Sequence, residues 1–170
     1  PLLSPSVSMH TIGAGGGSIA YVSAGALRVG PRSAGAFPGP ACYDRGGTEP
    51  TVTDANLFLG RLPHESKLAG NMNLKLDLAK SALDSVGTKL SLSTEETAAG
   101  ITAIINAAMA NAIREITVSR GIDPREYSLV AYGGAGPLHA VAIAAELELG
   151  SAIVPANPGV LSAWGMLQAD

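Results

Sequence analysis

The sequence is poor in charged and in aromatic residues. Charged residues make up 15% of the 170 positions and aromatic residues 4%, and the formal net charge is −3 at pH 7. A weakly acidic balance without a basic run argues against nucleic acid or an anionic membrane surface as the main partner. Instead of large side chains the chain has 28 alanines and 21 glycines. We therefore expect closely packed backbones in an α/β fold.

Cysteine and long apolar helices are also scarce. Cys42 is the one cysteine, which excludes an internal disulfide and fits a reducing compartment, so we expect a cytoplasmic protein. The uncharged stretch 149–169 contains Pro155 and Pro158, whereas a membrane span needs about 20 unbroken apolar residues. The first residues lack the charged start and apolar run of a signal peptide. We therefore expect no membrane partner.

Two common catalytic motifs are missing from the sequence. No Gly-Lys-Ser/Thr sequence occurs, which excludes a P-loop. No Gly-x-Ser-x-Gly sequence occurs either, so nothing indicates the nucleophile elbow of an α/β-hydrolase. The remaining candidates for function are glycine-rich turns and a few scattered polar residues.

Residues 10–47 form a first part that is rich in glycine, serine and proline. Two β-type runs, 18–22 and 26–29, predict a hairpin joined at 23–25. An ordered loop is expected over 31–47. Because two short strands bury too little surface to be stable alone, we expect a sheet supplied from elsewhere to complete them.

Residues 53–170 form a second, mainly helical part. Ser93 and Glu96 match a capping box, and the isoleucines and alanines that follow at helical spacing predict a long helix up to Gly121. The order helix, strand, glycine turn, helix, strand is typical of a parallel sheet with crossover connections. Further helices are predicted at about 53–59, 74–86, 138–147 and 159–169, and strands at 128–132 and 152–155.

Two glycine-rich turns are the candidate ligand sites. The first glycine turn offers consecutive backbone amides of the kind that cradle anions, or it forms only a bend before a strand. The second glycine turn lies between a predicted buried strand and a helix start, where free amides and the helix dipole favour a phosphate or carboxylate. Its alternative is a tight turn packed against a neighbour. The residues are Gly15, Gly16, Gly17 and Ser18 in the first turn, and Gly133, Gly134, Ala135 and Gly136 in the second.

A metal site is a further candidate. Cys42, Asp54 and His139, together with His10, carry the ligand atoms that a divalent metal such as zinc binds, although their spacing matches no compact metal motif. Each also has a structural interpretation. Cys42 can be a small packed residue, Asp54 a helix cap and His139 a hydrogen-bonded structural histidine.

Several long motifs resemble the hydantoinase A/5-oxoprolinase family. They occur in the order found in that family and cover nearly the whole chain from residue 10 onward. The motifs are 10–20 (HTIGAGGGSIA), 39–43 (GPACY), 47–56 (GTEPTVTDAN), 131–140 (AYGGAGPLHA) and 154–165 (VPANPGVLSAWG).

This resemblance implies a fold and an activity. The implied fold is α/β and ribonuclease H-like, of the actin, sugar-kinase and Hsp70 type, here half of such an ATPase domain with a mixed sheet and packed helices. The implied activity is ATP-dependent hydrolysis that opens a five-membered lactam or imide ring, with ATP and Mg²⁺ or another divalent metal as cofactors. A ketone carboxylase subunit of the same family is the alternative, and a nucleotide-binding or assembly module without turnover is another.

The resemblance also implies partners and site roles. A cyclic amide is the expected substrate, and a second subunit of the hydantoinase B type is the expected protein partner. The second glycine turn is expected to contact adenosine or phosphate through the amides of Gly133, Gly134 and Gly136. The first glycine turn is expected to line the phosphate or substrate cleft.

One short motif and the length of the chain bear on catalysis. Asp-x-Gly-Gly-Thr hairpins grip phosphate and magnesium in such folds, and residues 44–48 (DRGGT) have this pattern. Because family members have several hundred residues, we expect 1–170 to be one partial domain, the C-terminal portion of a catalytic domain whose N-terminal part lies elsewhere. The chain alone is expected to be inactive and to bind nucleotide weakly or not at all.

Overall fold

The computed structural model describes residues 9–63 and 72–168. Within these ranges two two-stranded sheets and five α-helices are present. The strands are β1 (Ser18–Ser23), β2 (Ala26–Ser33), β3 (Leu129–Val130) and β4 (Ala152–Ile153). The helices are α1 (Val52–Phe58), α2 (Leu76–Leu90), α3 (Thr94–Val118), α4 (Gly136–Glu146) and α5 (Leu161–Gln168), with short 3₁₀ turns at Ala41–Tyr43, Pro124–Glu126 and Pro158–Val160.

The predicted hairpin is present as the antiparallel pair β1–β2. Ala24 and Gly25 connect the strands, and both have a positive φ, as a two-residue turn that follows the strand twist requires. Ala20 on β1 packs against α1 and α3, so helices of the same chain cover this face. The expectation that a sheet from elsewhere completes the hairpin concerns the strand edges and stays a prediction.

Helix α3 organises the core. Its capping box is confirmed, since Ser93 Oγ accepts from the Glu96 amide at 3.2 Å and the Ser93 amide donates to Glu96 Oε2 at 2.8 Å. The apolar side of α3 then packs against α1, α2 and β1. The residues of this core cluster are Ala20, Val52, Ala55, Leu83, Ala98, Ile101 and Ile105.

Helix α2 is longer than the apolar pattern predicts, because it continues through Gly87 to Leu90. A methyl group on Gly87 would lie 2.9 Å from the Leu92 carbonyl oxygen. The glycine therefore allows α2 and the start of α3 to approach closely. The chain leaves α2 at Ser91, which has a left-handed φ of 56°.

The second predicted strand pair is also present, in a shorter form. β3 and β4 pair in parallel, with Leu129 opposite Ala152 and Val130 opposite Ile153, and α4 is their crossover connection. Ile143 on α4 packs against Ala110 on α3, which joins this unit to the helical core. The end of the predicted last helix, residue 169, lies outside the described residues.

Large apolar side chains are exposed mainly on β3, β4 and α5. No residue of α5 is buried. This agrees with the low surface charge of the sequence. The exposed side chains on this side include Val130, Tyr132, Ile153, Val154, Val160, Trp164, Met166 and Leu167. None of the helices in the described ranges combines the length and apolarity that crossing a bilayer would require.

Candidate nucleotide cleft

The two glycine turns lie side by side, although more than a hundred residues separate them in the sequence. A methyl group on Gly16 would lie 3.5 Å from Cβ of Ala135. Both turns border one cleft with a volume of about 490 Å³. Its lining consists of Gly16, Gly17, Ser33, Gly35, Ala36, Pro40, Tyr43, Thr53, Leu62, Gly134, Ala135 and Leu138.

The first glycine turn is held in shape by local hydrogen bonds. The Ser18 amide donates to the Gly15 carbonyl at 3.0 Å, and the Gly15 amide donates to Ser18 Oγ at 3.0 Å. The Gly17 carbonyl accepts from the Ala34 amide at 2.9 Å. The amides of Gly16 and Gly17 have no acceptor among the described residues. They are therefore available to an anionic or polar ligand.

The second glycine turn offers fewer amides than the sequence predicts. Gly133 has a φ of +85°, and its amide donates to the Pro158 carbonyl at 2.8 Å. This amide is used within the protein, so the expectation that it holds a nucleotide is wrong. The amides of Gly134, Ala135 and Gly136 have no acceptor in the described part of the chain.

The second turn also leads directly into α4. Gly136 is the first residue of this helix. The amides at a helix start carry partial positive charge, which favours a phosphate or carboxylate there.

The cleft is electrically neutral. None of its described lining residues carries a charged side chain. Burial, and then the neighbouring Cys42, raises the pKa of the Tyr43 phenol, which is neutral at physiological pH. A neutral cleft with glycine-rich walls suits a flat uncharged ring and contacts phosphate through amides and hydroxyl groups, without a charged side chain. Because no carboxylate lines it, these residues do not fit a magnesium ion.

The predicted metal set is not assembled. Among the described residues no group of three or more His, Cys, Asp or Glu could hold a metal ion, so the interpretation of Cys42, Asp54, His139 and His10 as ligands is wrong. The physical reason is that the polar atoms of Asp54 and His139 are used inside the fold. The structural interpretation holds for Cys42, Asp54 and His139.

Asp54 is a buried capping residue of α1. Its carboxylate accepts from the amides of Cys42 and Thr51 at 2.8 Å each, from the Ala41 amide at 3.3 Å and from the Thr51 hydroxyl at 2.7 Å. These bonds fasten the 3₁₀ turn Ala41–Tyr43 to the start of α1. Burial, and then the Asp54 charge, raises the pKa of the Cys42 thiol. Cys42 is accordingly an inert packed residue.

His139 is fully buried in the first turns of α4. Its Nδ1 lies 2.7 Å from Asn106 Oδ1 on α3, and its Nε2 lies 3.4 Å from Asn56 Nδ2 on α1. Asn56 Oδ1 in turn accepts from Arg61 Nη1 at 3.3 Å. Burial, and then the charge of Arg61, lowers the pKa of His139, which favours the neutral imidazole.

Sequence reasoning missed the residues that connect the two turns. Thr53 donates to the Gly16 carbonyl through its amide and its hydroxyl, each at 2.9 Å. Asn56 and Asn106 bond His139. The available signal was that the short helix α1 is almost entirely buried and yet polar, with Thr53, Asp54 and Asn56 in seven residues.

The sequence of this chain is similar to proteins of one known family. The sequence model of the family described as hydantoinase/oxoprolinase matches residues 1–170. Caprolactamase subunit alpha of Pseudomonas jessenii is 43% identical over 98% of this chain and 24% of its own length. The 5-oxoprolinase of Saccharomyces cerevisiae is 42% identical over 98% of this chain and 14% of its own length.

Two solved structures have the same fold. The crystal structure of ATP-dependent caprolactamase from Pseudomonas jessenii superposes with a TM-score of 0.86, covering 95% of this chain and 24% of that one. A nucleotide-free structure of acetone carboxylase superposes with a TM-score of 0.84 and 30% identity, covering 92% of this chain and 22% of that one. The expected actin-like ATPase fold is thereby confirmed. The chain spans about a quarter of the length of caprolactamase subunit alpha.

Proposed function

The chain belongs to the hydantoinase/oxoprolinase family, and from this premise we propose that it forms one wall of the nucleotide site in an ATP-dependent enzyme that opens a cyclic amide ring. The observation that carries the proposal is the meeting of the two glycine turns at one neutral cleft. The free amides of Gly16, Gly17, Gly134, Ala135 and Gly136 point to a ligand that is rich in hydrogen-bond acceptors. The ATP dependence of the caprolactamase with the same fold supports this assignment.

The proposed reaction uses ATP to activate the amide. The ring amide oxygen attacks the γ-phosphorus, the bond from that phosphorus to the bridging oxygen breaks, and ADP leaves. The carbon that bears the phosphorylated oxygen is now electrophilic enough for water to add, after which the C–N bond breaks and the nitrogen leaves as the protonated amine. A second water then releases inorganic phosphate and gives the carboxylate. The role of this chain is to bind and orient the nucleotide.

The site roles follow from the geometry of the cleft. The neutral lining between the two turns takes the nucleoside, and the free amides of both turns hold the phosphate side of the nucleotide. The described lining of this cleft has no charged side chain. Charged residues that stabilise the reacting phosphate must therefore lie outside it. The chain therefore works as part of a larger domain. A second subunit of the hydantoinase B type and a cytoplasmic location remain part of the proposal, and the name "subunit alpha" of the caprolactamase relative supports an assembly of subunits.

Ketone carboxylation is the second candidate. The acetone carboxylase structure has the same fold over this chain at 30% identity. The nucleotide cleft would serve both reactions in the same way, because ATP activates an oxygen atom in each. The two candidates therefore differ in the partner substrate and not in the residues of this chain.

The first experiment tests the cleft. ADP is titrated into the isotope-labelled 170-residue chain while its amide NMR spectrum is recorded. We expect weak, millimolar binding, because the chain supplies one wall alone, and shifts concentrated at the five free glycine-turn amides. Shifts elsewhere, or none at millimolar ADP, would overturn the proposal.

The second experiment tests the reaction in the complete enzyme of which we propose the chain is part. Ring opening predicts that a cyclic amide stimulates ATP hydrolysis and yields an amino acid. Stimulation by a ketone together with bicarbonate would favour the carboxylase instead. Hydrolysis that neither substrate stimulates would favour a binding or assembly module.

A further inference from the structure

Helix α1 is hydrogen-bonded to the elements that carry both glycine turns. At one end Thr53 donates two bonds to the Gly16 carbonyl. Asn56 follows three residues later and so lies on the same face of the helix. Its side chain contacts His139, which stands three residues after Gly136 at the start of α4. One short helix therefore connects the two sides of the cleft.

The bonds around His139 have one consistent direction. Arg61 can only donate, so it fixes Asn56 with Oδ1 toward the guanidinium and Nδ2 toward His139. Nε2 of His139 must then accept, and Nδ1 must carry the proton that is donated to Asn106 Oδ1. The geometry thus assigns the Nδ1–H tautomer of a neutral imidazole. Rotation of Asn56 would set donor against donor at Arg61.

The two turns are neighbours without being bonded to each other. A methyl group on Gly16 would lie 3.5 Å from Cβ of Ala135, and no hydrogen bond joins the two turns among the described residues. Packing between small residues does not fix the distance between the two turns as accurately as amides that bind a ligand require. The fixed bonds run instead through Thr53, Asn56 and His139. A fully satisfied buried polar network of this kind specifies one arrangement.

We propose that Thr53 and His139 are positioning residues, which act through α1 to hold the two glycine turns at the separation that a nucleotide requires. Neither residue needs to touch the reacting atoms. This inference rests on the proposed function for its consequence in binding. Its structural part, the coupling of His139 to Gly16 across the cleft, holds or fails independently.

The test uses the 170-residue chain and ADP. Thr53→Val removes the hydroxyl bond to the Gly16 carbonyl and leaves the amide bond, while His139→Leu removes the contacts to Asn56 and Asn106. Each variant loosens one end of α1, and each is expected to weaken ADP affinity about tenfold. Because both changes loosen the same connection through α1, the double variant should bind nearly as well as either single variant. Thr102→Val is the matched control, since Thr102 is a buried threonine that bonds the Ala99 carbonyl within α3. It should leave ADP affinity unchanged. Additive losses, or unchanged affinity in both single variants, would overturn the proposal.

A second readout needs no nucleotide. In His139→Leu the amide signals of Gly16 and Gly17 should shift across the cleft, whereas Thr102→Val should leave them in place. If the wild-type chain does not bind ADP, the proposed function fails. The shifts of the Gly16 and Gly17 amide signals in His139→Leu then decide by themselves whether His139 is coupled to the first glycine turn. Shifts confined to α3 and α4 would refute the coupling.

Should His139→Leu not fold, His139→Gln replaces it, because glutamine keeps one of the two polar contacts. The imidazole nitrogen spectrum of the wild type must also show the Nδ1–H tautomer, and the Nε2–H form would contradict the assignment.

Discussion

Thr53 donates two hydrogen bonds to the Gly16 carbonyl, one from its amide and one from its hydroxyl, each 2.9 Å long. This contact joins the first turn of α1 to the first glycine turn across 37 positions of sequence. The Gly17 amide belongs to the same peptide group as the Gly16 carbonyl and points the opposite way. Neither this amide nor that of Gly16 has an acceptor among the described residues. Thr53, a residue outside the first glycine turn, therefore fixes how the peptide group between Gly16 and Gly17 is oriented.

Gly16→Ala should damage the cleft, while Gly15→Ala should not. A methyl group at 16 would lie 2.8 Å from Thr53 Oγ1, closer than real contacts allow, whereas one at 15 meets nothing within 4 Å. We expect Gly16→Ala to lower the free energy of unfolding by about 1–3 kcal/mol and to weaken ADP binding. Gly15→Ala should stay within about 0.5 kcal/mol of wild type. Urea denaturation and NMR titration measure both effects, and equal behaviour of the two variants would contradict the geometry.

Gly134→Val should block the ligand without unfolding the protein. Cβ at 134 meets nothing within 4 Å, and Gly134 lines the cleft. The added side chain therefore occupies ligand space and not core space, so thermal stability should hardly change while ADP binding is lost. Gly150→Val is the control, since it is equally unobstructed and lies outside the cleft. Retained ADP binding in Gly134→Val would show that the ligand binds elsewhere.

The sequence predicts local features of this fold well, and it predicts distant contacts poorly. The Ser93 capping box, the hairpin and the β3–α4–β4 unit were all predictable, because each depends on signals a few residues apart. The amide of Gly133 was misassigned because its acceptor, the Pro158 carbonyl, lies 25 residues away and carries no sequence signal. The metal interpretation failed for the same reason. The partners of Asp54 and His139 are backbone amides and asparagines that no motif brings together.

Asp54→Asn should destabilise the protein strongly. The Asp54 carboxylate accepts four hydrogen bonds and is fully buried, so an amide group would turn one oxygen into a donor that faces donors. We expect a loss of about 2–4 kcal/mol in the free energy of unfolding. Asp44→Asn is the control, because Asp44 is exposed and has a φ of 56°, which asparagine tolerates. A loss below that of the control in urea denaturation would refute the role of Asp54.

Cys42 should be chemically inert in the folded protein. The thiol is fully buried, and burial together with the Asp54 charge raises the pKa of Cys42, so little reactive thiolate forms. We expect iodoacetamide to label Cys42 only when denaturant unfolds the chain, and the labelling rate should follow the unfolded fraction. Mass spectrometry after timed exposure measures this. Rapid labelling of native protein would mean that the Ala41–Tyr43 turn opens without global unfolding.

His139 should make folding stability depend on pH in a defined direction. Burial, followed by the charge of Arg61, lowers the pKa of His139 below its ordinary value of 6.5. Unfolded chains therefore bind a proton at this histidine more readily than folded ones. The stabilisation is complete above about pH 6.5 and is lost as the pH falls toward the lowered value. Urea midpoints measured from pH 7.5 to pH 5 should fall more steeply for the wild type than for His139→Gln, which cannot take up this proton. Parallel curves for the two proteins would show that His139 is not held neutral by its surroundings.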